Sequence, residues 1–233
     1  MENSLTLMQV VSLAVADAIN PCAMVVLLML LMAIIIYHPE NRRNVIWAGL
    51  AFSVAVFIMY LIYGLLIIGA FKVIQGISEI RYWFYKVLGA AAVLLGLLHL
   101  QDSIHYQPGG VATEMPLGWR SKVKKIISGV TSPWGAFTVG ILVTLFLLPC
   151  TIGPYVVLAG ILSFQEIIPI LPMLLLYNLI FISPMLLITA IVYFGLGYVE
   201  NISAWKDRNV HYLHFVSGMI ILLIGVALLV GWL

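Results

Sequence analysis

The sequence predicts an all-α integral membrane protein: six transmembrane helices arranged as two inverted three-helix repeats, with helices 1 and 4 broken at Pro-Cys motifs. Three observations lead there. The 233 residues are 64% hydrophobic and only 9% charged, with a mean hydropathy of +1.15. A soluble domain carries about 25% charged residues, so this chain has too few to cover itself against water. Six apolar runs occupy about 5–37, 45–71, 83–100, 134–164, 167–199 and 211–233, each near or above the ~20 residues that cross a bilayer as a helix. The two cysteines of the chain stand in the same local setting 128 residues apart, as Pro21-Cys22 and Pro149-Cys150. The period-2 alternation of a membrane barrel is absent.

The first run begins "MENSLTLMQVV", with no Lys or Arg ahead of the apolar stretch. A secretory signal needs a basic start and a small-residue cleavage site, so the run is expected to be a mature first helix. The remaining runs alternate with short polar connections, and the chain reads as one transmembrane domain. Repeat one spans about 1–101, a loop with an amphipathic helix about 102–133, and repeat two about 134–233. Basic residues set the orientation. One side holds Arg42, Arg43, Arg120, Lys122, Lys124, Lys125, Lys206 and Arg208, the other Lys72, Arg81 and Lys86. The richer side is expected to be cytoplasmic, in a multi-pass protein of the cell membrane with both termini outside. The glycosylation-type triplet Asn201-Ile202-Ser203 then lies inside, where it carries no meaning.

The repeat rests on two matches. Cys22 and Cys150 are offset by 128; "YKVLGAAAVLLGLL" aligns with "HFVSGMIILLIGVA", pairing Val87, Gly89 and Gly96 with Val216, Gly218 and Gly225 at an offset of 129. Three spans per unit is an odd number, so the second unit is inverted in the membrane. Broken helices near the midplane of such inverted repeats form the sites of many carriers.

The breaks are predicted where prolines interrupt runs one and four. A proline inside a helix loses one hydrogen bond and crowds the preceding turn. The released carbonyl needs a protein partner or a water-lined cavity, since lipid offers none. Pro154 follows Cys150 by one turn with Gly153 between, so "PCTIGP" is expected to be unwound or kinked and "NPC" a milder break. A half-helix starting at each proline would put the next cysteine at its positive end, which favours the thiolate; apolar burial opposes this. The residues alone leave three uses for two such thiols open: dithiol/disulfide cycling, soft-metal ligation of the Cu(I) type, with Met29 and Met32 on the same run, or a static brace. A brace is the least useful, since a disulfide acts mainly on the unfolded chain.

With "NPCAM", "LPCTIGPY", six spans and a two-unit repeat, the chain resembles the CcdA family of cytochrome c biogenesis thiol-disulfide transporters, relatives of the transmembrane domain of DsbD, along essentially its whole length. The resemblance implies a reductant conduit. Cytoplasmic thioredoxin would reduce a Cys22–Cys150 disulfide, and the dithiol would reduce a thioredoxin-like protein or apocytochrome c pathway component outside. It makes Cys22 and Cys150 the catalytic pair. It needs no cofactor and no metal, because two thiols carry the electrons. Pro21, Pro149 and Pro154 would shape the two segments. Family members often carry a second proline soon after the first Pro-Cys; "PCAMVVLL" lacks it, and the small Ala23 stands in the segment instead.

Around the motifs, Asn20, Thr151 and Gly153 are candidates to support the breaks. Asp17, one turn before Pro21, is a candidate proton relay, since an acid inside a span is costly and functional by default; an outer-interface position is the plainer alternative. Asn178 and Pro184 suggest polar glue between helices. Gly89, Gly96, Gly218 and Gly225 are expected to allow close helix packing. In "GWRSKVKKIISGVTSPW", Trp119, Val123, Ile126 and Val130 share one face opposite the basic residues, which predicts an amphipathic helix on the cytoplasmic surface. The histidines His38, His99, His105, His211 and His214 fall mostly near span ends without metal-ligand spacing, and nothing matches a phosphate loop or a nucleic-acid-binding pattern. The lipid bilayer is the one partner the composition itself implies.

Overall fold

The computed structural model describes residues 2–19, 21–37, 42–75, 80–105, 117–127, 130, 132–163, 167–195 and 198–230; every regular element among them is α-helical. The first apolar run is two helices, α1 (Glu2–Ala18) and α2 (Pro21–Tyr37), bent by 47° relative to one another. Pro21 is the first residue of α2, where its missing N–H costs no hydrogen bond and its fixed φ suits a helix start. On the other side, Ile19 N–H donates to the Val15 carbonyl at 3.1 Å and closes the last turn of α1. The break predicted at the first motif is present.

The second motif behaves differently. α6 (Pro133–Ser163) runs as one 31-residue helix through Pro149, Gly153 and Pro154, so the segment expected to unwind most stays helical. Each proline removes a single i→i−4 bond, to the Leu145 and Cys150 carbonyls. Unwinding would release several more carbonyls into an apolar interior that cannot solvate them. The helix also starts firmly: Gly135 N–H donates to Ser132 Oγ at 3.2 Å and Ala136 N–H to Ser132 O at 3.0 Å, with Pro133 at the first position.

The other long helices are α3 (Arg42–Gln75), α4 (Ile80–Ile104), α7 (Ile167–Phe194) and α8 (Tyr198–Val230); α5 (Leu117–Ile127) is short. Four helical stretches are long and apolar enough to cross a membrane: Arg43–Val73, Lys86–Ile104, Ile170–Phe194 and Arg208–Val230. The bent α1/α2 pair brings the number up to five where it is counted as one broken span. Leu66, Leu187 and Phe194 are 66%, 63% and 80% exposed. Each would cost about 1.5–3 kcal/mol in water relative to burial, a cost that lipid removes.

The directions of the helices follow from their contacts. A Cβ added to Gly140 would meet Ala55 and Phe52, while Tyr60 bonds Thr151 further along both chains, so α3 and α6 run parallel. Gly49 lies against Thr189 and Gly64 against Leu174, so α3 and α7 are antiparallel. α4 and α8 form the closest pair, also antiparallel. A Cβ on Gly96 would stand 2.7 Å from Leu222 N, and one on Gly225 2.7 Å from Val93 N. Glycine is required there because backbone meets backbone, as the repeated glycines suggested. α5 buries Val123 and Ile127 and sets Trp119 edge-on to Phe146 of α6 at 5.4 Å, leaving Lys122 and Lys124 exposed. Its apolar face thus packs on the protein as well as marking a surface helix.

Gly96→Ala and Gly225→Ala are each expected to destabilise the protein by about 1–3 kcal/mol, the usual cost of overpacking. Gly69→Ala, where nothing stands within 4 Å of an added Cβ, should be neutral; thermal unfolding in one detergent checks all three.

Candidate functional site

The first shared property of α1, α3, α6 and α7 is a buried polar cluster where their apolar faces meet. Asp17 occupies the last turn of α1 and is 1% exposed. This puts a carboxyl group inside the helix bundle. Tyr177 OH of α7 donates to Asp17 Oδ2 at 2.9 Å. Among the described residues, Asp17 Oδ1 has no hydrogen-bond partner. A buried acid at a helix C-terminus also faces the negative end of the helix dipole, so the tyrosine supplies stabilisation that the local backbone cannot.

From Tyr177 the cluster continues through rings and hydroxyls. Tyr177 and Tyr155 of α6 meet edge to face at 5.3 Å, and Tyr155 and Tyr60 of α3 at 5.5 Å. Tyr155 OH donates to the Tyr60 carbonyl and accepts from Asn178 Nδ2 at 3.3 Å; Asn178 Nδ2 also donates to the Leu174 carbonyl at 2.9 Å. Tyr60 OH stands 2.6 Å from Thr151 Oγ1, whose own proton goes to the Leu147 carbonyl at 3.2 Å, so Tyr60 is the donor. One turn away, Tyr63 OH reaches Thr144 Oγ1 at 3.2 Å. Tyr60, Thr151, Tyr177, Asn178 and Asp17 are all buried, and a buried polar group is stable only when it is bonded.

The cluster therefore ends at Asp17, just before Pro21-Cys22, and at Thr151, the residue after Pro149-Cys150. The backbones of Cys22 and Cys150 lie in α2 and α6. The side chains of Pro21, Cys22, Pro149 and Cys150, and the whole of Asn20, lie outside the described residues. Thr151 serves the Leu147 carbonyl rather than those released by Pro149 and Pro154, so its role is to hold Tyr60. Gly153 lies apart from the cluster: a Cβ there would come 2.9 Å from Leu95 of α4. Pro154 is buried within α6.

Sequence reasoning did not find Tyr60, Tyr155 or Tyr177. They are three of 11 tyrosines, and only the assembled helices distinguish them. Nor did it find that His99 of α4 and His214 of α8 are buried together, Nδ1 to Nδ1 at 3.3 Å. A signal existed: His99 follows Gly96 by three residues and His214 precedes Gly218 by four, so an antiparallel glycine contact brings them level. Among the described residues, which exclude both thiols, no group of three or more His, Cys, Asp or Glu could hold a metal ion. Comparison with protein families, characterised proteins and solved structures returns no match.

Removing the one donor to Asp17 among the described residues, as Tyr177→Phe, is expected to destabilise the protein by about 1–3 kcal/mol, the cost of an orphaned buried acceptor. Asp17→Asn keeps an acceptor for Tyr177, so it should cost less; unfolding of the two variants in mixed micelles gives the order.

Proposed function

We propose that the protein is a six-helix membrane thiol-disulfide oxidoreductase of the CcdA type, passing reducing equivalents through a Cys22–Cys150 dithiol/disulfide pair. The observation that carries this reading is the hydrogen-bonded and ring-stacked cluster from Asp17 to Thr151. One connected set of groups runs from Asp17, four residues before Pro21-Cys22, to Thr151, the residue after Pro149-Cys150, which supports reading the two motifs as parts of one site.

The architecture of this reading has independent support. α6 contains no charged residue over 31 positions, which supports counting it as a further span in this reading. The helix directions fit six alternating crossings: spans two and four parallel, two and five antiparallel, three and six antiparallel. The glycine contacts of the α4–α8 seam are consistent with the proposed inverted repeat. Gly89 approaches the Gly225 carbonyl, and their repeat equivalents, Gly218 and Gly96, approach each other in the same way. The basic residues set the termini outside.

In this mechanism the thiolate of reduced cytoplasmic thioredoxin attacks one sulfur of the disulfide and the other leaves as thiolate. The second thioredoxin thiolate resolves the mixed disulfide. Two electrons have then entered the membrane pair, and two protons are needed to quench the two thiolates. The reverse sequence reduces an extracytoplasmic thioredoxin-like acceptor. The 47° break before Cys22 provides the segment whose movement costs fewest helix hydrogen bonds. Asp17, five residues ahead of Cys22, is the candidate proton donor.

Thiol alkylation followed by a gel shift tests the reading on the full chain. Oxidised protein should show both thiols blocked, and reduced thioredoxin should release both together; Cys22→Ser or Cys150→Ser should trap a mixed disulfide or leave one free thiol. Thiols that stay free under oxidant, with stoichiometric soft metal after purification, would replace the conduit by a metal transporter.

A further inference from the structure

The α4–α8 seam carries a row of polar groups that the thiol chemistry does not use. His211, exposed near the start of the apolar part of α8, places Nδ1 2.8 Å from the Ser103 carbonyl of α4. One turn inward His214 meets His99, Nδ1 to Nδ1 at 3.3 Å, both buried. A further turn inward, buried Ser217 donates to the Ala16 carbonyl of α1 at 2.9 Å. Ala16 is the neighbour of Asp17, whose Oδ1 is buried without a partner among the described residues. The three α8 positions are three residues apart, a rise of about 4.5 Å per step, so successive side chains lie about one turn apart and the steps between them would pass through side-chain rotation or a bridging water.

We propose that His211, the His99–His214 pair and Ser217 form a proton path from the water at this end of the bundle to Asp17. The histidine contact has the necessary form. At 3.3 Å one Nδ1 donates its hydrogen and the other accepts it, so the rings hold opposite tautomers. A proton arriving at Nε2 of the acceptor's partner moves through the Nδ1–Nδ1 bond and leaves from Nε2 of the second ring; rotation of the rings resets the pair. Two buried imidazoles within membrane-length helices are costly unless used, and packing alone would be met by apolar side chains.

The use of this path rests on the proposed thiol exchange; its existence does not. Each disulfide reduction creates two thiolates inside the membrane, while the thioredoxin dithiol sheds two protons to water outside it. The path returns those two protons through Asp17, so charge balances without ions crossing lipid.

Infrared spectroscopy of the full-length protein in bilayers tests the path directly, by timing the deuterium shift of the buried carboxyl band that Asp17→Asn abolishes. His99→Gln with His214→Gln should slow that exchange on the order of a hundredfold, the scale of a lost proton-transfer group, with the band and the unfolding temperature retained. Ser217→Ala, which leaves both rings in place, should slow it too. Unchanged exchange in these variants, or the absence of any Asp17-dependent carboxyl band, overturns the proposal. The same experiment in a Cys22→Ser, Cys150→Ser chain should give the same rates. Failure of thioredoxin to reduce the wild-type protein with exchange still histidine-dependent would defeat the thiol reading and leave the path.

Discussion

A carboxyl group sunk into a bundle of membrane-length helices is the constraint on which the interior of this protein depends. Among the described residues, Asp17 is hydrogen-bonded through Tyr177 alone. That bond fixes α7 against the end of α1. Tyr177 then stacks on Tyr155, Tyr155 holds the Tyr60 carbonyl, and Tyr60 holds Thr151. Each step answers a buried polar group with another from a different helix. A hydrogen bond between membrane helices contributes only about 0.5–2 kcal/mol, so the chain of them acts less by strength than by leaving few alternative registers for four apolar helices that could otherwise slide.

The second organising feature is the glycine seam between α4 and α8. α4 and α8 meet through glycines with their backbones in contact, and any rotation would drive side chains into a gap sized for hydrogen. The α1/α2 junction is the opposite case: two helices at 47° joined at a proline. A firm α4–α8 pair beside a jointed α1/α2 arm is what the proposed thiol exchange would need, since it presents a segment to bulky partners without opening a pore. Large apolar side chains such as Leu66, Leu187 and Phe194 are exposed on the outside of the bundle, as a bilayer environment favours.

Much of the architecture was legible in the sequence because membranes impose simple rules. Length and apolarity located the helices, and the proline rule located the start of α2 at Pro21. The glycine matches foretold the α4–α8 seam. The rules failed where tertiary context outweighs local preference. Pro149 and Pro154 leave α6 helical, since two lost bonds cost less than a dry unwound loop. The tyrosine cluster was invisible because nothing local separates Tyr60, Tyr155 and Tyr177 from aromatics that merely pack. Asp17 stood out as an anomaly, but its partner is 160 residues away in sequence, and only folding reveals whether such an acid is interfacial or buried. His99 and His214 read as span-end residues until the antiparallel pairing set them ring to ring.

The central claim is that Cys22 and Cys150 act as one two-electron couple. An equilibrium redox titration of the purified chain, with free thiols counted by mass after alkylation, tests it most directly. One transition in which both thiols disappear together, with the slope of about 30 mV per decade that a two-electron couple requires, is the expected result. Two thiols that oxidise independently, or that remain free across the range spanned by thioredoxin and glutathione, would contradict it.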